Sequence, residues 1–375
     1  MARTAPSIAI AFDLNFQQAA QIYRGVSDYV TSNGLDWRLI PLQIGFESKL
    51  IQLAESGQLA GAIGTFVSDS WIQRLRDHKI EVINLFNFSK IDSVPSVGID
   101  DPQLGKDAAR HLMEQGARKL AYYGINSIYS SRLRLDGFST KSKKQFQNLN
   151  SLNALKEFFV KNKPSSKFPV GIFCSSDRLA REVIHNAQET GHTCGKDCLI
   201  LGVDDDPSES IYAGVEISSF KIPVHNCGYQ AAKILNENLE GTKTNPSSIY
   251  QYPFELIARE SSLASKRARI SQRASKAVSE NIADPNLDAT SLARRTGASK
   301  RALELALKSQ LETSPYRLIS QARLSLAKQL LKETKLPVME IGLRCGYPEP
   351  HHFSTWFKKN TQSAPKVFRA MSPSV

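Results

Sequence analysis

Four charged side chains stand at the ends of apolar runs or in the loops beside them: Asp13, Arg134, Asp177 and Asp204. A carboxylate accepts through two oxygens and a guanidinium donates through a planar fork, so such a set suits a ligand with adjacent hydroxyl groups, as a sugar has. Phe16 and Phe66 offer flat apolar faces on which a sugar ring could stack. Asp204 also heads the run Asp204-Asp205-Asp206, whose alternatives to sugar contact are a solvated turn and, after it, a magnesium site. Catalytic constellations are missing. There is no Gly-x-Ser-x-Gly, no phosphate-binding glycine loop ending in lysine, and no His-Glu-x-x-His, so nothing points to an enzyme. His192-x-Cys194 followed by Cys198 has no second ligand pair at zinc-site spacing, and neither a metal nor any other cofactor is expected.

A second kind of chemistry is concentrated between Pro337 and Arg369. Val338, Ile341 and Cys345 share one face of a short helix that runs into Gly346, where glycine can take the positive φ that reverses the chain. Phe353, Trp356 and Phe357 then recur at helical spacing as one apolar stripe, with His351, His352, Thr355 and Lys359 on the opposite face. Helix, glycine turn, and helix with a polar outer face is the layout of a helix-turn-helix, whose second helix fits the major groove of double-stranded DNA. A similar unit precedes it. Asp288 caps one helix, Gly297 makes the turn, and Ser299 caps a reading helix over Lys300 to Gln310. On that helix Arg301 suits guanine and Glu304 suits cytosine, while Lys308, Lys358 and Lys359 suit phosphates. For His351 and His352 the alternative is simple solvent exposure.

The elements that must position these residues follow from hydrophobic patterning. Strands are expected at 6–12, Trp37 to Leu42, Ala60 to Phe66, Ile80 to Phe86, Lys119 to Tyr123, Val170 to Cys174 and Leu199 to Val203, with helices between them. Strand alternating with helix gives parallel sheets covered on both faces. The alternation begins twice, so two lobes with a cleft between them are expected, ligands sitting outside the carboxyl ends of the strands. Downstream, Pro315 to Lys332 reads as a long helix with Leu318, Ala322, Leu326 and Leu330 on one face, joining the two helix-turn-helix units.

Charge follows the same division. Residues 1–264 carry 28 Lys and Arg and 28 Asp and Glu, whereas residues 265–375 carry 20 and 8, so the whole net charge of +12 lies in the last third. A basic segment of this kind attracts a phosphate backbone. No run is long enough for a signal peptide or membrane span, and five cysteines in 375 residues do not make a disulfide framework, which together point to the cytoplasm and to no membrane partner.

The C-terminal residues resemble the AraC/XylS family of transcription regulators. The likeness covers the helix before the turn, the Cys345-Gly346-Tyr347 turn, the Phe353-Ser-x-x-Phe357-Lys-Lys run and Pro365-x-x-x-Arg369. The N-terminal part resembles the fold of LacI-type regulators and periplasmic sugar-binding proteins. That likeness rests on Val97-Gly-Ile-Asp-Asp with Gly105 and Gly116, on Ser131-Arg-Leu-Arg-Leu-Asp-Gly-Phe138, on Cys174-Ser-Ser-Asp177, and on Leu201-Gly-Val-Asp204-Asp205. It implies a ligand arginine at Arg134, a ligand aspartate at Asp204 and pairing into a homodimer. The combination is similar to sugar-responsive regulators of the xylose type. RNA polymerase becomes a partner if the chain activates transcription.

The expected architecture is thus a two-lobed α/β ligand-sensing domain (1–260), a polar, basic, aperiodic linker (261–276) and an all-α domain with two helix-turn-helix units (277–375). Family positions are departed from at Leu305, Leu307 and Thr355, and Glu312 and Gln362 stand where glycine is usual. The span from Phe138 to Pro169 is short and basic, so the second lobe is expected to lack an edge strand. That raises a competing function, in which the N-terminal domain dimerises without binding a small molecule.

Overall fold

The structure, a computed structural model, describes residues 5–12, 18–42, 46–143, 145–165, 169–242, 244–263 and 266–371. The chain divides into two compact units, Met1–Ser262 and Leu263–Val375.

In the first unit the elements run β1 (Ser7–Ala11), α1 (Ala19–Ser32), β2 (Arg38–Leu42), α2 (Phe46–Glu55), β3 (Gly61–Gly64), α3 (Asp69–Asp77), β4 (Glu81–Leu85) and β5 (Ser96–Gly98). The second half continues with α4 (Asp101–Glu114), β6 (Lys119–Tyr123), α5 (Tyr129–Lys141), β7 (Phe146–Leu149), α6 (Leu152–Lys161), β8 (Val170–Cys174), α7 (Asp177–Glu189), β9 (Cys198–Val203) and α8 (Pro207–Ala213). It ends with β10 (Ser218–Lys221), α9 (Val224–Leu239), β11 (Ile249–Gln251) and β12 (Glu255–Ile257). The first sheet has strand order β11-β5-β4-β3-β1-β2 and the second β12-β10-β9-β8-β6-β7. Described pairings are parallel except that β12 runs antiparallel to β10. Central strands such as β8 and β9 are buried at every position, as a sheet covered on both faces requires. The chain crosses between the sheets at Ile99–Asp100, at Ile222–Pro223 and at 252–254.

Two features differ from the sequence expectation. The second lobe has its edge strand: β7 pairs in parallel with β6, and α6 packs Leu155, Phe158 and Phe159 beneath it. A four-residue strand reached by a short turn leaves too little pattern to read. Most of the described part of segment 261–276, which contains the boundary between the two units, is regular or buried structure. Ser261 and Ser262 are fully buried in the first unit, and Lys266–Glu280 forms helix α10. Its inward positions include Ile270, Ala274, Ala277 and Val278, and the two alanines are too small to register as an apolar stripe.

The second unit continues with α11 (Ala289–Arg295), α12 (Lys300–Leu311), α13 (Pro315–Glu333), α14 (Val338–Arg344), α15 (Pro350–Thr361) and α16 (Pro365–Met371). It has two cores, one around Leu292, Leu303, Leu307 and Ile319 and one around Leu331, Ile341, Phe353 and Phe357. Helix α13 contributes to both. Its fully buried face is Ile319, Arg323, Ala327 and Leu331, and the expected stripe from Leu318 to Leu330 is only half-buried beside it. Arg323 sits between the cores. Its guanidinium donates to the carbonyls of Asp284 (2.6 Å) and Ile282 (3.3 Å) and lies 5.3 Å from the Tyr347 ring centroid. Gly346, at φ 76°, both reverses the chain and leaves room for that guanidinium, since a Cβ there would lie 2.5 Å from it.

Glu312 and Gln362 close the two reading helices in left-handed conformations, at φ 49° and 60°. A side chain there is strained by about 1–2 kcal/mol, and glycine loses roughly 0.5–1 kcal/mol of that gain to the entropy of the unfolded chain. Gln362→Gly is therefore expected to raise stability by about 0.5–1 kcal/mol, read as a higher urea midpoint with an unchanged slope.

Candidate effector cavity and nucleic-acid interface

The carboxyl ends of the two sheets of the first unit enclose a cavity of about 500 Å³. Phe12, Gln18, Ile22, Thr65, Phe86 and Phe88 line it from the first lobe, and Ser131, Arg134, Ser175, Arg178 and Asp204 from the second. Arg134 reaches it from α5. That helix packs backbone to backbone on α4, because Gly105 and Gly137 leave no side chain between them: a Cβ at either would lie about 2 Å from a carbonyl oxygen of the other helix. The close approach brings Arg134 onto Asp101 in the first turn of α4. Its Nε donates to Asp101 Oδ1 at 2.8 Å and its Nη1 to the Ser175 carbonyl at 2.7 Å. Burial works against the arginine's charge, but Asp101 and Asp204 together hold its pKa above the ordinary value.

Asp204 follows β9 directly and lies at φ 113°, a strained conformation for an aspartate. Its amide donates to the Phe220 carbonyl at 2.9 Å, and its own carbonyl accepts from Gln18 Nε2 of the first lobe. Burial lifts its carboxyl pKa to about 7; Arg134 opposes the shift, and Asp206 and Asp101 add to it. The side chain thus stands near the point of changing charge at neutral pH. Arg134 and Asp204 are brought to one cavity, as the sequence suggested.

Two other expected residues are not. Phe66 is buried in the core of the first lobe, stacked on Trp71 with ring centroids 5.8 Å apart, and its neighbour Thr65 faces the cavity instead. Asp177 is also turned away. Its Oδ2 accepts from the Asp206 amide at 2.8 Å and its other oxygen lies over Gly202, so it braces the loop that carries Asp204. Burial, then the charge of Asp204, pushes its pKa well up. Asp13 and Phe16 lie outside the described residues. Asp101 was missed as a candidate, and its only signal was the doubled aspartate Asp100-Asp101.

His192 is taken up by structure, with Nε2 2.7 Å from the Asn162 carbonyl and Nδ1 3.0 Å from Thr190 Oγ1. Among the described residues no three His, Cys, Asp or Glu side chains gather as metal ligands. No described helix is long and apolar enough to cross a membrane.

In the second unit the two reading helices each turn an apolar face inward and a polar face outward. On α12, Leu303, Ala306 and Leu307 are buried while Lys300, Arg301, Glu304 and Lys308 are exposed. On α15, Phe353 and Phe357 are buried and Trp356 stacks on Tyr347 at 4.6 Å, leaving His351, His352, Thr355, Lys358 and Lys359 exposed. Ser299 caps α12 through the Ala302 amide, and Pro350 opens α15 without a side-chain cap.

Comparison with known proteins bears on both units. Residues 109–262 match the family model of a periplasmic binding protein-like domain, and residues 292–371 match that of a helix-turn-helix domain. The xylose operon regulatory protein of Haemophilus influenzae is 24% identical, the alignment covering 96% of this chain and 97% of that one. The xylose operon regulatory protein of Escherichia coli K12 is 22% identical over 98% of each. A solved structure described as the xylose-binding transcription activator xylR superposes with a TM-score of 0.57 at 22% identity, over the full length of both chains. The chain is a two-domain, DNA-binding transcription regulator. The regulator joins a periplasmic-binding-protein-like domain to an AraC-type helix-turn-helix domain, the order its sequence motifs implied.

Proposed function

We propose that the regulator senses a small sugar, xylose or another pentose, and that filling the cavity changes how the second unit engages DNA. The observation that carries this reading is the charged set Arg134, Asp101 and Asp204 on one wall of the cavity between the lobes. A sugar's adjacent hydroxyls could accept from the guanidinium and donate to the carboxylate. The full-length relatives named for the xylose operon support the choice of sugar. Asp13 and Phe16 remain contributors on sequence grounds. Arg301 and Glu304 read base edges in one major-groove segment, and His351, His352 and Thr355 do so in the next. Lys300, Lys308, Lys358 and Lys359 hold phosphates. The regulator works in the cytoplasm as a homodimer paired through its N-terminal domain, and contacts RNA polymerase where it activates. The edge strand β7 supports this reading over the competing one, in which the N-terminal domain pairs without a ligand. A thermal-shift screen of the full chain against pentoses and hexoses tests the proposal: a rise in melting temperature with a pentose supports it, and no shift with any sugar sinks it.

The Asp204 carboxyl gives this site a pH dependence. Its pKa in the folded protein is raised, so its contribution to stability is present below about pH 4 and is lost as pH rises through about 7. A sugar that donates to Asp204 binds the carboxylate and must displace the proton. Affinity is therefore expected to rise from pH 6 to 8, at most about tenfold per pH unit, with proton release on binding. Titration calorimetry in buffers of different ionisation enthalpy reads both quantities.

A further inference from the structure

Helix α5 begins without a side-chain cap: Ile128 stands at its N-cap position and offers no acceptor. The first amides of a helix still need acceptors. Here they find them on the other lobe. The Tyr129 amide donates to the Phe88 carbonyl at 2.9 Å, and the Ser130 amide to the Asn87 carbonyl at 2.6 Å. Both carbonyls belong to the loop that follows β4 in the first lobe. The same loop is tied a third time, by Asn87 Nδ2 donating to Asp101 Oδ2 at 2.8 Å. Asp101 holds Arg134 with its other oxygen. The loop leaves β4 through Phe86, a non-glycine residue at φ 57° that lines the cavity. Strain of that kind at a ligand-facing residue persists where surrounding contacts over-determine it.

We propose that this junction is the latch that holds the two lobes closed on the sugar, with Asn87 and Tyr129 as positioning residues that set how long the sugar stays bound. Opening the cleft strips α5 of its capping acceptors and takes from the Asp101 carboxylate the donor that steadies it under Arg134. Closure restores all three bonds together, so the lobe that carries the ligand arginine is completed by backbone atoms of the opposite lobe. The assignment rests on the sugar-sensor reading for its ligand, but the latch itself is a property of the chain.

The decisive variant is Tyr129→Pro. Proline is well tolerated at the first position of a helix, where it removes the amide together with the tyrosine ring that lies against Arg132. Ile128, at φ −88° and ψ 125°, already has the extended backbone that the residue before a proline needs. Asn87→Ala removes the tie to Asp101, and Tyr129→Ala, which loses the ring but keeps the amide, is the control. In the full-length protein, stopped-flow release of xylose is expected to be about 3–10-fold faster in Tyr129→Pro and in Asn87→Ala, through the off-rate, with Tyr129→Ala near the wild-type rate. Hydrogen exchange at the Ser130 amide is expected to speed up in Tyr129→Pro while the sugar-free melting temperature stays put. Unchanged release in both variants overturns the latch. Should wild-type protein bind no xylose, the sensor reading fails and the latch is decided by exchange in sugar-free protein. Protection of the Tyr129 and Ser130 amides relative to that of Asn126 upholds it, and equal exchange overturns it.

Discussion

Arg134→Ala is expected to remove the proposed sugar response and to destabilise the N-terminal domain by about 3–5 kcal/mol, the magnitude typical of breaking a buried ion pair from one side. The guanidinium is the cation facing both Asp101 and Asp204, and the Arg134 and Asp101 side chains are 10% and 2% exposed. Without it Asp101 is left with Asn87 as a neutral donor, and Asp204 loses the charge that opposes its upward pKa shift. The cavity loses its buried guanidinium donor in the same step. Urea unfolding of the full chain and a binding isotherm read the two effects separately. Arg134→Lys keeps the charge but not the fork, so it is expected to recover much of the stability and little of the sugar affinity. A variant that unfolds like wild type and still responds to sugar would remove Arg134 from the site.

DNA affinity is expected to fall by about 10³–10⁵ between 50 and 200 mM salt, the loss that accompanies roughly six to ten phosphate contacts. The last third of the chain holds 20 Lys and Arg, but several are committed to the fold. Arg295 is bound to Asp284 and Asn281, Arg323 is buried, Arg344 pairs with Glu340, and Arg369 donates to the Leu336 carbonyl. The reading helices and their flanks still expose Arg294, Lys300, Arg301, Lys308, Arg317, Lys358, Lys359 and Lys366, which is the right order for that slope. Lys359→Ala should lower the slope by about one and weaken all sequences alike, whereas Arg301→Ala should cost about 1–3 kcal/mol at one base pair and relax preference there. Titrations at four salt concentrations check both; a flat response excludes a phosphate-dominated interface.

Much of this was legible because buried parallel strands write themselves as apolar runs. Strands β1, β6, β8 and β9 were placed within a residue or two, and so was the first reading helix, while the second was recognised without bounds; serine cap, glycine turn and aromatic stripe are local signals. What escaped has a common physical cause. Strands β5, β10, β11 and β12 are three or four residues long, and their identity comes from partners far along the chain. The same holds for side chains. Whether Phe66 or Thr65 faces the cavity is decided by one residue of register past the end of β3. Asp177 was drawn away by the amide of Asp206, which no spacing reveals. Arg323 was overlooked because an arginine in a helix reads as exposed, and only the carbonyls of Ile282 and Asp284 make its burial possible.

The way the first unit ends has a practical and a mechanical consequence. Ser261 accepts from the Ile200 amide through its carbonyl at 2.8 Å, donates to the Ile200 carbonyl through its hydroxyl at 2.6 Å, and receives the Ser218 amide on that hydroxyl at 2.8 Å. Ser262 is pinned next to it by Ser218 and by His111, whose burial lowers its pKa to about 4 and keeps it neutral. A fragment cut at residue 260 would leave β9 and β10 without this rivet, so a soluble sensor fragment has to run through Ser262. Ile200 lies in the same strand that presents Asp204 at its far end. Strand β9, which presents Asp204 to the cavity four residues after Ile200, is thus hydrogen-bonded to a segment that lies two residues before the second unit begins.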